Sequence, residues 1–319
     1  MIIPSLKTAF IDVPKTGSTS IEYFLRKAYK DFSKASPDPL WWCKECSQQM
    51  SHLLRSSDDV ITNTPPKTRH HPLISYYKNI PDFYDFLYFS VVRHPFSRFK
   101  SFVYETLLHL YFNKKLYCFS STQENNTYPD SWFINSTKSK DYMDLQLRLI
   151  LSHFHFINSK GFKSVNLCSM PMHIWPQNYF LTLKTLLPYQ LRILKIENIK
   201  EWEYDFKLEL SRWGGLNVTN EIIPNLDPSP YSIFLSKSNP TSKLTIPHDE
   251  PWEVDFFDPH NLYLPDEGFE KLYPTYDLFI QRYNEIKLEL DDTVLPILEE
   301  HRTLIESVYH EDMVTYGYA

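Results

Sequence analysis

Six consecutive residues near the start, Lys15, Thr16, Gly17, Ser18, Thr19 and Ser20, have the side chains to hold an anion. The glycine lets the backbone turn, hydroxyl and backbone N–H groups donate hydrogen bonds, and the lysine brings a mobile positive charge. A second set lies downstream at Arg93 and Ser101, eight residues apart. An arginine can fork two N–H donors onto one phosphate, which suits a group that is held rather than transferred. Between the two sets, His70 and His71 titrate closest to neutral pH and can take a proton from a hydroxyl. Together these residues can bind phosphate-like groups at two positions and activate a nucleophile beside them.

Each anion-binding set needs an element to present it. Thr8 to Val13 is a short β-favouring run, Pro14 to Thr19 breaks it, and Ile21, Phe24, Leu25 and Ala28 recur at helical spacing. The first loop therefore opens a helix, whose N-terminus offers unpaired N–H groups and a positive dipole end while Ser18 or Thr19 caps it. Phe86 to Val92 is likewise an apolar, β-favouring run, followed by a helix with Phe96, Phe99, Val103 and Leu107 broadly on one face. Ser97 and Ser101 are four apart and share one side of that helix, near Arg93.

A nucleotide kinase would read G-x-x-x-x-G-K-[ST], with its lysine directly after a glycine. Here the lysine precedes Gly17 and no glycine lies upstream; with 6 glycines in the whole chain, a Gly-rich dinucleotide fingerprint is missing too. The string Pro14 to Ser20 instead resembles the 5′-phosphosulfate loop of sulfotransferases that use 3′-phosphoadenosine 5′-phosphosulfate (PAPS). Arg93 and Ser101 are similar in type and spacing to that family's 3′-phosphate site. The resemblance is to carbohydrate sulfotransferases, nearest in motif spacing to heparan sulfate and uronyl 2-O-sulfotransferases, and runs discontinuously from Thr8 to about Phe279.

This resemblance implies an α/β fold, a P-loop-like three-layer sandwich with a central, mainly parallel sheet flanked by helices. It implies that Lys15 contacts the oxygen bridging sulfur and phosphorus, that Thr16 to Ser20 bind the 5′-phosphosulfate, and that Arg93 and Ser101 bind the 3′-phosphate. PAPS is the co-substrate, adenosine 3′,5′-bisphosphate (PAP) the product, and no metal is required. His71, 22 residues before Arg93, falls where the 2-O-sulfotransferases carry their catalytic histidine. That subfamily's His-Gly-His becomes Arg69-His70-His71 here, so His70, another histidine or a carboxylate stays open as the base. His173-Ile174-Trp175-Pro176-Gln177 resembles a His-x-x-Pro-Gln string of carbohydrate sulfotransferases, which implies a role in the acceptor pocket for His173, Trp175 and Gln177.

The 319 residues fit one domain with ample material for a core, and 42% hydrophobic with 16% aromatic content argues against disorder. A net charge of -6 gives no sign of a nucleic-acid partner, although Lys67, Arg69, His70, His71, Arg93, Arg98 and Lys100 can still converge on a basic cleft. No run approaches eighteen apolar residues and the start carries no signal-peptide pattern. The expectation is a cytoplasmic or soluble protein, or a Golgi-lumenal one if an N-terminal anchor has been removed. Cys43 and Cys46 have the spacing of half a zinc site, with His52 as a candidate ligand, but no second pair follows; unliganded thiols are the leading reading.

Further along, residues 141–158 read as an amphipathic helix, 191–196 as a strand and 197–213 as the next helix. Eight prolines between 223 and 265 rule out long helices and central strands there, giving an ordered, irregular excursion. Helices at about 266–310 close the chain, the last running from Ile286 to Tyr309 with a kink near Pro296. The expected activity is sulfuryl transfer from PAPS to an acceptor hydroxyl, foremost of a glycan, by in-line displacement with a histidine base. A small-molecule or nucleotide kinase, a non-carbohydrate acceptor and a silent binding protein are the alternatives.

Overall fold

A computed structural model of the chain describes residues 2–3, 7–18, 20–21, 24–25, 83–113, 139–162, 172–182, 191–214, 223, 230 and 272–319. Strands β2 (Thr8–Ile11) and β3 (Leu87–Val92) are buried at every position, as strands covered on both faces must be. They pair in parallel, with Thr8 opposite Leu87 and Ile11 opposite Ser90. Strand β4 (Leu191–Lys195) adds in parallel on the other side of β3, and β1 (Ile2–Ile3) pairs antiparallel with β2. The order is β1-β2-β3-β4. Ser90, polar inside this sheet, donates its hydroxyl proton to the Ile11 carbonyl at 2.7 Å.

Side chains alternate between the faces of the sheet, and each face meets its own helices. Phe10, Phe89 and Val91 pack with Ile21, Phe24 and Leu25 of α1, helical at the described positions between 18 and 25, and with Phe206 and Leu210. Ala9, Ile11, Tyr88 and Val92 belong to the larger cluster on the opposite face. That cluster is filled by Phe96, Phe99, Val103 and Leu107 of α2 (Pro95–Asn113) and by Leu147, Ile150 and Phe154 of α3 (Ser139–Lys160). The apolar stripe expected on α2 is thus buried throughout.

The short α4 (Gln177–Leu181) precedes β4, and a 3₁₀ turn (Ile196–Asn198) joins β4 to α5 (Ile199–Gly214), which carries Phe206 and Leu210. β4 therefore stops at Lys195, one residue before the expected end. The C-terminal helices add Phe279, Tyr283, Leu298, Ile305 and Tyr309 to the larger cluster. The first of them, α6 (Tyr276–Thr293), starts well before Ile286 because Thr275 caps it, its hydroxyl accepting the Leu278 N–H at 3.3 Å. The bend expected near Pro296 is a helix boundary: α7 (Leu295–Glu300) has Pro296 in its first turn, where a missing N–H costs nothing. α8 (Arg302–Val308) and α9 (His310–Thr315) follow.

The outcome is a mixed helix and strand fold, with three parallel strands flanked by helices on both faces. Apart from Ile223 and Pro230, the proline-rich excursion at 223–265 lies outside the described residues. So do Cys43, Cys46 and His52. Among the described residues no helix is long and apolar enough to cross a membrane.

Candidate active site

The carboxyl ends of β2 and β3 are neighbours because the strands are parallel, and the two sets expected to bind anions follow them in the chain. After β2 the backbone turns through two left-handed residues, Lys15 at φ +66° and Gly17 at φ +82°. Lys15 holds a conformation that costs a side-chain-bearing residue about 1–2 kcal/mol, strain of the kind that accumulates at functional loops. Thr16, fully buried between them, donates its hydroxyl proton to the Val13 carbonyl at 2.9 Å and so closes the turn. The Ser20 N–H donates to the Gly17 carbonyl at 3.1 Å, and Ser18 and Ser20 are buried at the start of α1. A Cβ on Gly17 would stand 3.2 Å from Ile196 Cδ1, so the loop lies against the turn after β4.

After β3 the chain is gripped at two consecutive N–H groups. The Arg93 N–H donates to Gln177 Oε1 at 2.9 Å, and Gln177 Nε2 donates back to the Arg93 carbonyl at 2.9 Å. The His94 N–H donates to Glu197 Oε1 at 2.7 Å. His94 Nδ1 accepts the Phe96 N–H at 3.3 Å, a capping role that accounts for this histidine within the loop. Burial lowers the pKa of Arg93, and the charges of Glu197 and then Tyr318 oppose the shift.

Ser97, Ser101 and Glu105 lie at four-residue spacing along α2, on one stripe. The far end of that stripe reaches the first loop, where Lys15 Nζ forms an ion pair with the Glu105 carboxylate. Both side chains of the pair are mostly buried. Ser101 is half-buried on the stripe between the Arg93 end and the Lys15 end.

Arg98 joins the parts from inside. It is 1% exposed; its Nε donates to the Pro14 carbonyl at 2.8 Å, and its Nη2 to the His173 and Trp175 carbonyls at 2.9 and 2.7 Å. It is therefore a structural bridge between the first loop, α2 and the 172–177 segment, and not a member of the basic cleft expected from the sequence. Lys100 also points away from such a cleft, pairing with Asp291 of α6 at 3.2 Å.

The 172–177 segment is packed behind Arg93. Trp175 is 2% exposed and Gln177 fully buried, while His173 is half-buried with its ring stacked on Phe102 at a centroid distance of 6.1 Å. The C-terminal residues hold this segment in turn. Asp312 Oδ2 and Oδ1 accept the Gln177 and Asn178 N–H groups at 2.7 and 2.8 Å, and the Tyr309 hydroxyl donates to the Ile174 carbonyl at 2.6 Å. Tyr318 donates its hydroxyl proton to Glu197 Oε2 at 2.8 Å, and Lys195 Nζ donates to the Gly317 carbonyl at 2.8 Å. Burial raises the pKa of Asp312, against the pull of the Asn178 N–H and of Arg98.

Lys15 and Gly17 thus follow the end of β2 and Arg93 the adjoining end of β3, Ser101 lies on α2, and Thr16, Ser18 and Ser20 are buried. Thr19, His70 and His71 lie outside the described residues. Sequence reasoning missed Glu105, Glu197, Asp312 and the inward role of Arg98. Glu105 was available as the next position of the Ser97–Ser101 stripe, Arg98 as a residue in helical phase with Phe102, and Glu197 as part of the strand-then-helix string Ile193 to Ile199 that resembles a late element of the sulfotransferases; nothing local marks Asp312. Among the described residues no cluster of three or more His, Cys, Asp or Glu is arranged to hold a metal ion.

A family model described as "Sulfotransferase family" matches residues 1–197. The match takes in both loops, α2 and the 172–177 segment. No curated protein and no solved structure matches the chain.

Proposed function

Because the chain belongs to the sulfotransferase family, we propose that it transfers a sulfuryl group from PAPS to an acceptor hydroxyl, foremost of a carbohydrate, on a P-loop-like sandwich. The observation that carries this reading is the pair of anion-binding turns at the adjoining carboxyl ends of β2 and β3, tied together by Arg98. Ligands of parallel sheets bind in that position. The donor would supply an activated sulfuryl group on one phosphate and a second, separated phosphate by which it is held.

The left-handed turn at Lys15 and Gly17 leads into the start of α1, whose backbone N–H groups would hold the 5′-phosphosulfate; Gly17 suits the turn because a Cβ there would meet Ile196 and strain the backbone. Lys15 neutralises charge on the oxygen that leaves the sulfur, after exchanging its Glu105 partner for the donor. Arg93 and Ser101 hold the second phosphate and take no part in bond breaking. His71, with His70 as the alternative, accepts the proton of the attacking hydroxyl; His173 contributes to the acceptor pocket. These residues need no metal ion.

The test is transfer of labelled sulfate from PAPS to a panel of sugar and small-molecule hydroxyl acceptors, read by mass spectrometry. Wild-type protein is expected to label a glycan, with kcat falling about 100-fold or more in Lys15→Ala. His71→Ala is expected to abolish transfer while keeping its affinity for PAP. Phosphoryl transfer from ATP in place of sulfuryl transfer, or no transfer to any acceptor, would overturn the reading.

A further inference from the structure

We propose that residues 312–318 are a positioning device for the donor-holding arginine, acting through two side-chain relays onto the backbone at the end of β3. This rests on the reading of Arg93 as the residue that holds the second phosphate. In the first relay Asp312 fixes Gln177, its two carboxylate oxygens accepting the Gln177 and Asn178 N–H groups. Gln177 in turn bonds both the N–H and the carbonyl of Arg93. In the second relay Tyr318 donates to Glu197, whose other oxygen accepts the His94 N–H. Two consecutive N–H groups at the exit of β3 are thus each held by a side chain that a C-terminal residue holds in turn.

The arrangement has a physical consequence for Arg93. An arginine carries many rotamers, and it binds a phosphate in fork geometry at lower ordering cost when the backbone that launches the side chain is fixed. The amide clamp of Gln177 supplies that fixity at both peptide units that flank the Arg93 Cα. Gln177 and Asp312 have no exposed surface, so neither can be replaced in this role by water. Three further contacts tie the same C-terminal stretch to the site: Lys195 bonds the Gly317 carbonyl, the His94 and Tyr318 rings meet edge to face at 5.1 Å, and Lys195 Nζ lies 4.5 Å from the Tyr318 ring centroid. The matched family segment ends at residue 197, so the relays originate outside it.

The experiment is calorimetric titration of the full chain with PAP for Asp312→Asn, Tyr318→Phe and Gln177→Met, each alone and combined with Arg93→Ala, alongside steady-state kinetics and thermal unfolding. Tyr318→Phe removes one hydroxyl and keeps the ring, so it tests the second relay even if Asp312→Asn folds poorly. Asp312→Asn and Gln177→Met are expected to weaken PAP binding about tenfold and Tyr318→Phe about threefold, raising KM for PAPS more than they lower kcat. In the Arg93→Ala background these losses should vanish, because residues that act through one side chain are not additive with its removal. Losses of equal size with and without Arg93 would mark a general structural effect and overturn the proposal, as would wild-type affinity in all three single variants. If Arg93→Ala alone bound PAP as tightly as the wild type, the assignment of Arg93 itself would fail, an outcome distinct from failure of the relays.

Discussion

Arg98→Met removes a guanidinium while nearly conserving volume at a site that is 1% exposed. Three carbonyls, those of Pro14, His173 and Trp175, lose their charged donor together. Hydrogen bonds to a charged group are worth about 1.5–3 kcal/mol each, a gross loss of roughly 5–9 kcal/mol. Removing a buried charge returns part of its desolvation cost, several kcal/mol in real proteins. The return is incomplete here, because Asp312, which faces Arg98 electrostatically, is left without its cation. The net expectation is a destabilisation of about 3–5 kcal/mol, the range for removing one partner of a buried charged network. Urea unfolding followed by far-UV circular dichroism and tryptophan fluorescence reads it as a lower midpoint with an unchanged slope. Arg98→Lys should recover less than half, since one ammonium cannot span donors aimed at both Pro14 and the 172–177 segment. PAP affinity should fall as well, because the first loop and the segment behind Arg93 lose their common anchor. A loss of less than about 1 kcal/mol in Arg98→Met would refute the bridge.

Gly17→Ala should cost about 1–2 kcal/mol from the left-handed φ, plus the clash with Ile196. Adding Ile196→Val should recover the clash and not the backbone strain, which chemical denaturation of the single and double variants can separate. Glu105→Gln should tighten PAP binding about fivefold at low salt, because a competing carboxylate no longer neutralises Lys15; affinity at or below wild type in calorimetry would show that the pair does not oppose donor binding.

Strands β2 and β3 were legible because they are buried at every position and leave continuous β-favouring runs, and α2 because its phenylalanines keep helical phase. Both loops could be read for a related reason: turn residues, hydroxyls and basic groups are concentrated within a few positions. What could not be read is the support. Asp312 lies 135 residues from Gln177, and Gln177 lies 84 from Arg93, so no window of sequence contains the relay. Arg98 was misassigned to a cleft because charge ordinarily means surface; its three carbonyl acceptors exist only after the loop and the 172–177 segment fold around it. The break near Pro296 was expected in the right place, although it is a boundary between two helices, and the helix before it starts at Tyr276, where Thr275 caps it.

The central claim is that Lys15 and Arg93 hold one donor by phosphates at two positions. It is tested most directly by the affinities of PAP and 5′-AMP for the wild type and for Arg93→Ala, which need no acceptor. The account predicts that the wild type prefers PAP by about 30-fold or more and that Arg93→Ala binds the two alike. An equal affinity of the wild type for both ligands, or a PAP preference that survives Arg93→Ala, would contradict it.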